Sequence, residues 1–382
     1  MMIRELGRSW FIGLLSLMSI PAGCRIMPDR ALSYPADQVI YQGFSGPPRV
    51  RFGSYPSSNV GTFFKGPDLG THGYCFRLSE QDGVAYTCRG GHIDVIHVRI
   101  AADWTAYLAA VTYRHLMDRE DSFSCGLAVD RSRSIVTFTY PTNWDSLPKI
   151  QQTAIAKEVA LATGPYLTFT MTTWHEMLTW YGFKCVGPFP EFPSAFSWED
   201  SYSNLLGTIV AVRALQDPQH KYNQAVKIAL DEEMQKLGIQ PARVARQASE
   251  SVRGKWFTGN VIFHVDMKKR NFDIGLENGY ITPTLVPEVS TCPDAQPLPL
   301  PVPRLDVLAK YGFSVKMEIE PHEWEKDKIL RIVHGNNGQG RIIPDQHFAL
   351  IMDDIRRQAT AMYGPEYSPD YAVRPRRVYT AR

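Results

Sequence analysis

What this chain of 382 residues lacks already excludes several classes of function. Neither charge is in excess, with 41 Lys and Arg against 39 Asp and Glu, and no basic tract interrupts the balance. Nucleic acid is therefore excluded as a partner, because phosphate recognition needs clustered cations. Beyond the first two dozen residues no apolar run is long enough to span a bilayer. The longest uncharged stretch, Val159 to Trp174, is broken by Gly164-Pro165 and falls short of the roughly 20 residues a spanning helix needs; it reads as buried core. The glycine-rich segment His334 to Gly340 lacks the Lys-Ser/Thr ending of a phosphate loop and reads as a surface turn. Cysteine is scarce, with 6 in the chain, and no internal repeat is present.

What is present begins with a targeting signal. Arg4 and Arg8 form a basic region, Trp10 to Ile20 an apolar one, and Ala22-Gly23-Cys24 a small-residue cleavage site of the bacterial lipoprotein kind. Pro21 departs from the Leu-like residue usual three positions before the cysteine, which keeps ordinary secretory cleavage or an uncleaved anchor as alternatives. Acylation at Cys24 would supply two or more chains, enough for stable attachment where one gives marginal binding. Arg25 stands where an inner-membrane lipoprotein usually carries Asp, so the expected location is the outer membrane, facing the periplasm.

Expected boundaries follow composition. Residues 1–24 are the signal, 25–48 a turn-rich leader, 49–283 the main body, 284–303 a proline-rich linker, and 304–382 a small C-terminal α/β module. The fold class expected is α+β, with a helix-rich main domain and small antiparallel β elements. Apolar periodicity predicts helices over 93–117, 150–163, 165–181, 198–215, 222–237, 241–251 and 344–363, with residues 305–311 also helical. Pro165 and Gly182 supply a start and a stop. Strands are expected over 134–140 and 314–319, and in a small sheet within 50–87. A further strand-rich block spans 256–265, 272–274 and 279–282. A turn at Glu80 to Gly83 would set Cys75 opposite Cys88 and predicts a bridge between them. Cys125 and Cys185 would form a second bridge and leave Cys292 over. A sharper alternative makes Cys88 a thiol nucleophile served by His92 or His97.

The candidate chemistry lies on the helical half. In Gly91-His92-Ile93-Asp94-Val95-Ile96-His97, Asp94 and His97 share one helical face, which is metal-ligand spacing. Trp174-His175-Glu176 opens like a zinc-protease motif, but Thr179 stands where the second histidine must be, so that reading fails. Glu158 is a lone carboxylate in a weakly polar run and would be costly to bury unpartnered. Asp200 adds an acid at a helix start, beside Glu199. Packed together, Asp94, His97, His175 and Asp200 are expected to ligate one divalent metal, Zn, Mn or Fe, with Glu176 and Glu158 as catalytic carboxylates. The bland reading competes closely: Asp94 as a helix cap, Arg99 and Asp103 as an i,i+4 pair, and His175 with Glu176 as hydrogen-bonded core groups. Trp174, Trp180, Tyr181, Trp198 and Tyr202 offer sugar-stacking faces, though such residues are more often core.

These segments, Gly-Gly-His-Ile-Asp with His97-Val98-Arg99 and Asp103-Trp104, then Trp174-His175-Glu176 with Thr179 to Gly182, then Glu199 to Gly207, resemble a bacterial family of unknown function catalogued as family 4056. The resemblance covers about Val50 to Pro283. It implies an envelope location and no reaction.

The sequence thus points to a metal-assisted hydrolase of an envelope polymer or lipid, membrane-attached through its lipid. Its rivals are a non-enzymatic lipoprotein that binds a glycan or protein partner, and the thiol hydrolase using Cys88. Cys24→Ala is expected to move the protein from the detergent phase to the aqueous phase on partitioning. Equal partitioning of wild type and variant, with Met1 retained in the wild type, would overturn the lipoprotein reading.

Overall fold

The computed structural model describes residues 44, 46–64, 68–76, 80–184, 191–260, 265–335 and 338–364. Cys24 and Cys185 lie outside them, as do the signal and most of the leader. The fold is α+β and helix-rich. Among the described residues no helix is long and apolar enough to cross a membrane.

A hairpin leads into the helical body. Strand β1 (Val84–Thr87) pairs antiparallel with β2 (Gly91–Asp94), Val84 facing Asp94 and Thr87 facing Gly91. The turn therefore falls at residues 88–90, and Gly91 follows it at φ +66, a left-handed conformation that glycine adopts without steric cost. This corrects the expected pairing of Cys75 with Cys88. Glu80, expected at a solvent turn, is buried, accepting hydrogen bonds from Arg51 and from the Gly73 N–H. With that turn unavailable, β1 takes the following segment as its partner. Cys88 instead bonds Cys292, Cα to Cα 5.2 Å, and Cys75 is disulfide-bonded to a different cysteine. Among the described residues the unpaired cysteine is Cys125 rather than Cys292, and burial pushes its thiol up to about 12. A bridged Cys88 has no thiolate to offer, so the thiol-hydrolase reading falls.

Helix α1 (Val95–Met117) starts where the Asp94 side chain accepts the Ile96 N–H at 2.8 Å. Its buried face is rich in small residues, among them Ala101, Ala102, Ala106, Ala109 and Ala110. Two neighbouring helices close onto it. Helix α2 (Lys149–Trp180) is one continuous 32-residue element, not two. Pro165 sits inside it, at an intrinsic cost of about 3 kcal/mol. Gly164 lies so close to α1 that an added Cβ would stand 2.8 Å from the Thr105 carbonyl oxygen; this close packing, with Leu167, Met171 and Trp174 buried beyond it, offsets that cost. Helix α3 (Asp200–Leu215) approaches α1 the same way at Gly207, where a Cβ would meet the Ala101 Cβ at 2.7 Å. Helices α4 (Tyr222–Lys236) and α5 (Ala242–Ser251) follow, each within a residue of the expected bounds.

Strands β3 (Ser122–Cys125) and β4 (Arg133–Thr139) are joined by the distant β9 (Ser314–Glu320) into one antiparallel sheet, Arg133 facing Glu320 and Thr139 facing Ser314. Residues after the proline-rich stretch thus share the main core. Helices α6 (Lys326–His334) and α7 (Pro344–Tyr363) bury Ile329, Phe348, Ile351 and Ile355 in the cluster that holds Trp174 and Met177. The strand-rich block is reduced to two short pairs, β5 (Phe257–Thr258) with β6 (Asp266–Met267) and β7 (Tyr280–Ile281) with β8 (Leu300–Pro301). The proline-rich stretch is consequently a strap laid along the body, paired at one end and bridged to Cys88 near the other. Proline is tolerated there because an edge strand does not need every N–H.

The expected Arg99–Asp103 pair is also redistributed. Arg99 donates to the carbonyls of Leu69 and Gln81, while Asp103 accepts from Arg51 at 2.7 Å and faces His72 at 2.8 Å.

Because α1 and α3 meet backbone to backbone, Gly207→Ala is expected to lose about 1–3 kcal/mol through overpacking, read as a lower urea midpoint with an unchanged slope. A wild-type midpoint would show that the two helices are not locked at this position.

Candidate functional site

Asp94 ends β2 and caps α1, so its carboxylate is fixed at the corner between strand and helix. One oxygen accepts the Ile96 N–H; the other accepts the Ser54 N–H at 2.6 Å. The Asp94 N–H itself donates to the Ser203 hydroxyl on α3 at 3.1 Å. One helical turn on, His97 sets its Nδ1 at 3.4 Å from Asp94 Oδ2 and 3.1 Å from Asp200 Oδ1. Asp200 opens α3, where a negative charge suits the helix dipole, and its second oxygen accepts the N–H of Ser197 in the preceding turn at 2.9 Å. Glu199 beside it accepts the Ser197 hydroxyl at 2.8 Å and keeps its other oxygen buried without a hydrogen-bond partner among the described residues.

Glu176 approaches from α2, and its carboxylate accepts the Phe196 N–H at 2.7 Å. Phe196 has φ +52, a conformation that is costly for a bulky side chain. It is held there by that bond and by the Asn271 N–H donating to its carbonyl at 2.9 Å. His175, the neighbour of Glu176, turns to a separate partner, Asp130, at 2.7 Å.

The imidazoles are the outward groups of this cluster. His97 and His175 keep 21% and 22% of their side-chain surface open, while Asp94, Asp200 and Asp130 keep 0%, 5% and 3%. The Nε2 edge of His97 lies under the backbone of Gly53, where a Cβ would approach the ring Cε1 to 2.7 Å. Only glycine fits there.

Burial and charge compete at each group. Burial pushes His97 down, but the charges of Asp94 and Asp200 outweigh it and hold the imidazole up at about 10. His175 is treated alike, with Asp130 raising it to about 9 against burial. For Glu176 burial and the Asp200 charge act together and lift the carboxyl to about 7. Burial, reinforced by Asp200, raises Glu199 well above the carboxylate range. Asp94 is raised by burial, with His97 opposing. The result is two imidazolium ions and a carboxyl that changes charge near neutrality.

Of the residues expected together, Asp94, His97 and Asp200 are brought into contact, and Glu176 lies close enough for its charge to act on His97 and Asp200. Glu158 is a correction. The continuous α2 places it 18 residues before Glu176, roughly 27 Å along the axis at 1.5 Å per residue. It is exposed there, 3.8 Å from the Lys310 ammonium. The metal expectation is also corrected: among the described residues no group of three or more His, Cys, Asp or Glu side chains could hold a metal ion. His175 is drawn off to Asp130, and Nδ1 of His97 already faces Asp94 and Asp200. The aromatics Trp174, Trp180, Tyr181, Trp198 and Tyr202 are core, none more than 6% exposed. His92 is buried, its Nε2 on the Ala245 carbonyl and its Nδ1 accepting from Trp198, and burial lowers it to about 4. Sequence reasoning missed Asp130, which sits in a loop without periodicity, and the Gly53-Ser54 cover. Glu199 was visible beside Asp200 but carried no spacing signal.

Residues 66–280, more than half of the chain, match the family described as protein of unknown function (DUF4056). No curated protein and no solved structure matches the chain.

The raised groups fix how stability varies with pH. His97 keeps its proton in the fold up to about 10 against an ordinary 6.5, so its contribution is complete below about pH 6.5 and is lost as pH rises through 10. Glu176, raised from 4.5 to about 7, acts with the same sign: the fold is favoured below 4.5 and loses this contribution as pH rises through 7. The melting temperature is expected to fall between pH 5 and pH 10, and His97→Asn to flatten the part above pH 7. A melting temperature unchanged from pH 6 to 9.5 would show that the imidazole is not charged.

Proposed function

Because the chain belongs to the DUF4056 family, whose description assigns no reaction, we propose its function from the geometry: an envelope hydrolase that works by acid–base chemistry between Glu176 and His97. One observation carries the reading. A carboxyl poised at about 7 and an imidazolium held at about 10 act on each other across the same buried carboxylates. Environments that separate acid from base in this way are how a site performs both tasks at one pH.

In the proposed reaction, ionised Glu176 takes a proton from a water molecule whose oxygen bonds to the carbonyl carbon of an ester or amide. The carbon–heteroatom bond then breaks, and the leaving group takes the His97 Nε2 proton. Glu176 returns its proton through solvent and His97 recovers its charge. Asp94 and Asp200 act as positioning residues: they orient the ring through Nδ1 and keep it cationic, which also favours charge developing on the carbonyl oxygen. The polymer or lipid substrate of the envelope is supported by the sequence alone, through the lipoprotein-like segment ending at Cys24.

Purified protein lacking the signal is to be assayed on peptidoglycan fragments and on acyl esters from pH 5 to 10. Glu176→Gln and His97→Asn are each expected to lower kcat by about 10²–10⁴-fold, with Glu158→Gln at wild-type rate. The kcat/KM profile is expected to rise through about pH 7 and fall towards 10. Turnover by the Glu176 and His97 variants at the wild-type rate would overturn the assignment, and binding of either substrate class without turnover would favour a binding lipoprotein.

A further inference from the structure

A cleft of about 320 Å³, lined by none of the acid–base groups, lies between the C-terminal end of α2 and helices α6 and α7. Its apolar surface comes from Trp180, Phe192, Ile332 and Met362. Two of these rings are held from behind: the Arg270 guanidinium lies 5.6 Å from the Trp180 ring centre and 5.5 Å from that of Phe192, and donates to the Ala195 carbonyl. Such a stack fixes ring orientation. Met362 is 54% exposed and supplies an adaptable rim.

The polar wall can be accounted for atom by atom. Asp354 Oδ2 accepts the Tyr181 hydroxyl at 2.8 Å and the Gln358 amide at 2.6 Å, and its Oδ1 accepts Arg357 at 2.8 Å. Gln358 Oε1 accepts the Trp180 indole N–H at 3.1 Å. The acceptors on this wall are therefore engaged. The donors are not. Lys328 spends one N–H on the Tyr181 carbonyl at 2.8 Å and keeps two. Arg331 lines the cleft and has no side-chain partner among the described residues. A cavity with an apolar floor, engaged acceptors and two cations at its rim is complementary to one kind of molecule.

We infer that this cleft binds a small amphipathic anion, an aromatic or short aliphatic body carrying a carboxylate or phosphate group that Arg331 grips. Its volume lies at the lower end of the roughly 300–1,000 Å³ of small-molecule sites, and the guanidinium fork suits a two-oxygen anion. The inference is independent of the acid–base reading, since it concerns binding at different residues.

The probe is 1-anilinonaphthalene-8-sulfonate, an aromatic anion, titrated by fluorescence into the protein lacking its signal. Arg331→Glu is expected to weaken its binding at least tenfold, Arg331→Lys to keep part of it, and Lys255→Glu, on a distant exposed surface, to leave it unchanged. Circular dichroism confirms that each variant is folded. Competition then distinguishes the headgroups: displacement by decanoate identifies a carboxylate ligand and displacement by phenyl phosphate a phosphate one. Wild-type affinity in Arg331→Glu, or displacement by decanol as effective as by decanoate, would overturn the proposal.

Discussion

The structure depends on what happens to the Asp94 carboxylate. It is buried, and an isolated carboxylate in such a place would cost several kcal/mol. Three groups supply what it needs: the Ile96 N–H in the first turn of α1, the Ser54 N–H and the ring of His97, while the Asp94 N–H ties the same corner to Ser203 on α3. Removing any one leaves the others facing an uncompensated charge. The hairpin, the first helix and the cover over His97 are thus tied to a single group, and the position of the imidazole follows from it.

A second polar knot lies further along α1, around Asp103. Arg51 bridges Asp103 and Glu80, and His72 faces Asp103. Here the balance is opposite. Burial pushes Asp103 up, but His72 and Arg51 outweigh it and hold the carboxyl down at about 2, so this group is a fixed charge across the whole working range. Two buried aspartates nine residues apart in the chain therefore have different roles. Asp103 anchors irregular chain, while Asp94 shares its field with groups that titrate.

Local signals made much of the fold legible. Pro344 opened its helix where expected, Tyr222 and Ala242 began theirs within a residue, and the alternating run from Ser314 was a strand. What the sequence could not convey was non-local. Pro165 reads as a break because its cost is local, whereas the close approach of Gly164 to Thr105 that offsets it is not. The expected Cys75–Cys88 hairpin failed because Glu80 was read as a solvent turn residue, and nothing nearby announces that Arg51, 29 residues earlier, claims it. The site was half legible for the same reason. Asp94 and His97 share a turn of helix and could be read together, but Asp130 reaches His175 from a loop 45 residues away. Glu158 was grouped with the site because a lone carboxylate in a weakly polar run reads as needing a buried partner, and because 150–163 and 165–181 read as two helices rather than one.

The bridge between Cys88 and Cys292 joins positions 204 apart in sequence. A chain made from its N-terminus produces the hairpin early and the second sulfur only after every helix from α1 to α5 has emerged. The strap therefore arrives late in time as well as closing the body in space. Until it does, the hairpin beneath α1 has its own backbone pairing, the Asp94 bonds and the Leu237 and Gly238 carbonyls that accept from Arg89 and Cys88, and the covalent link can only follow helices whose sequence has already emerged.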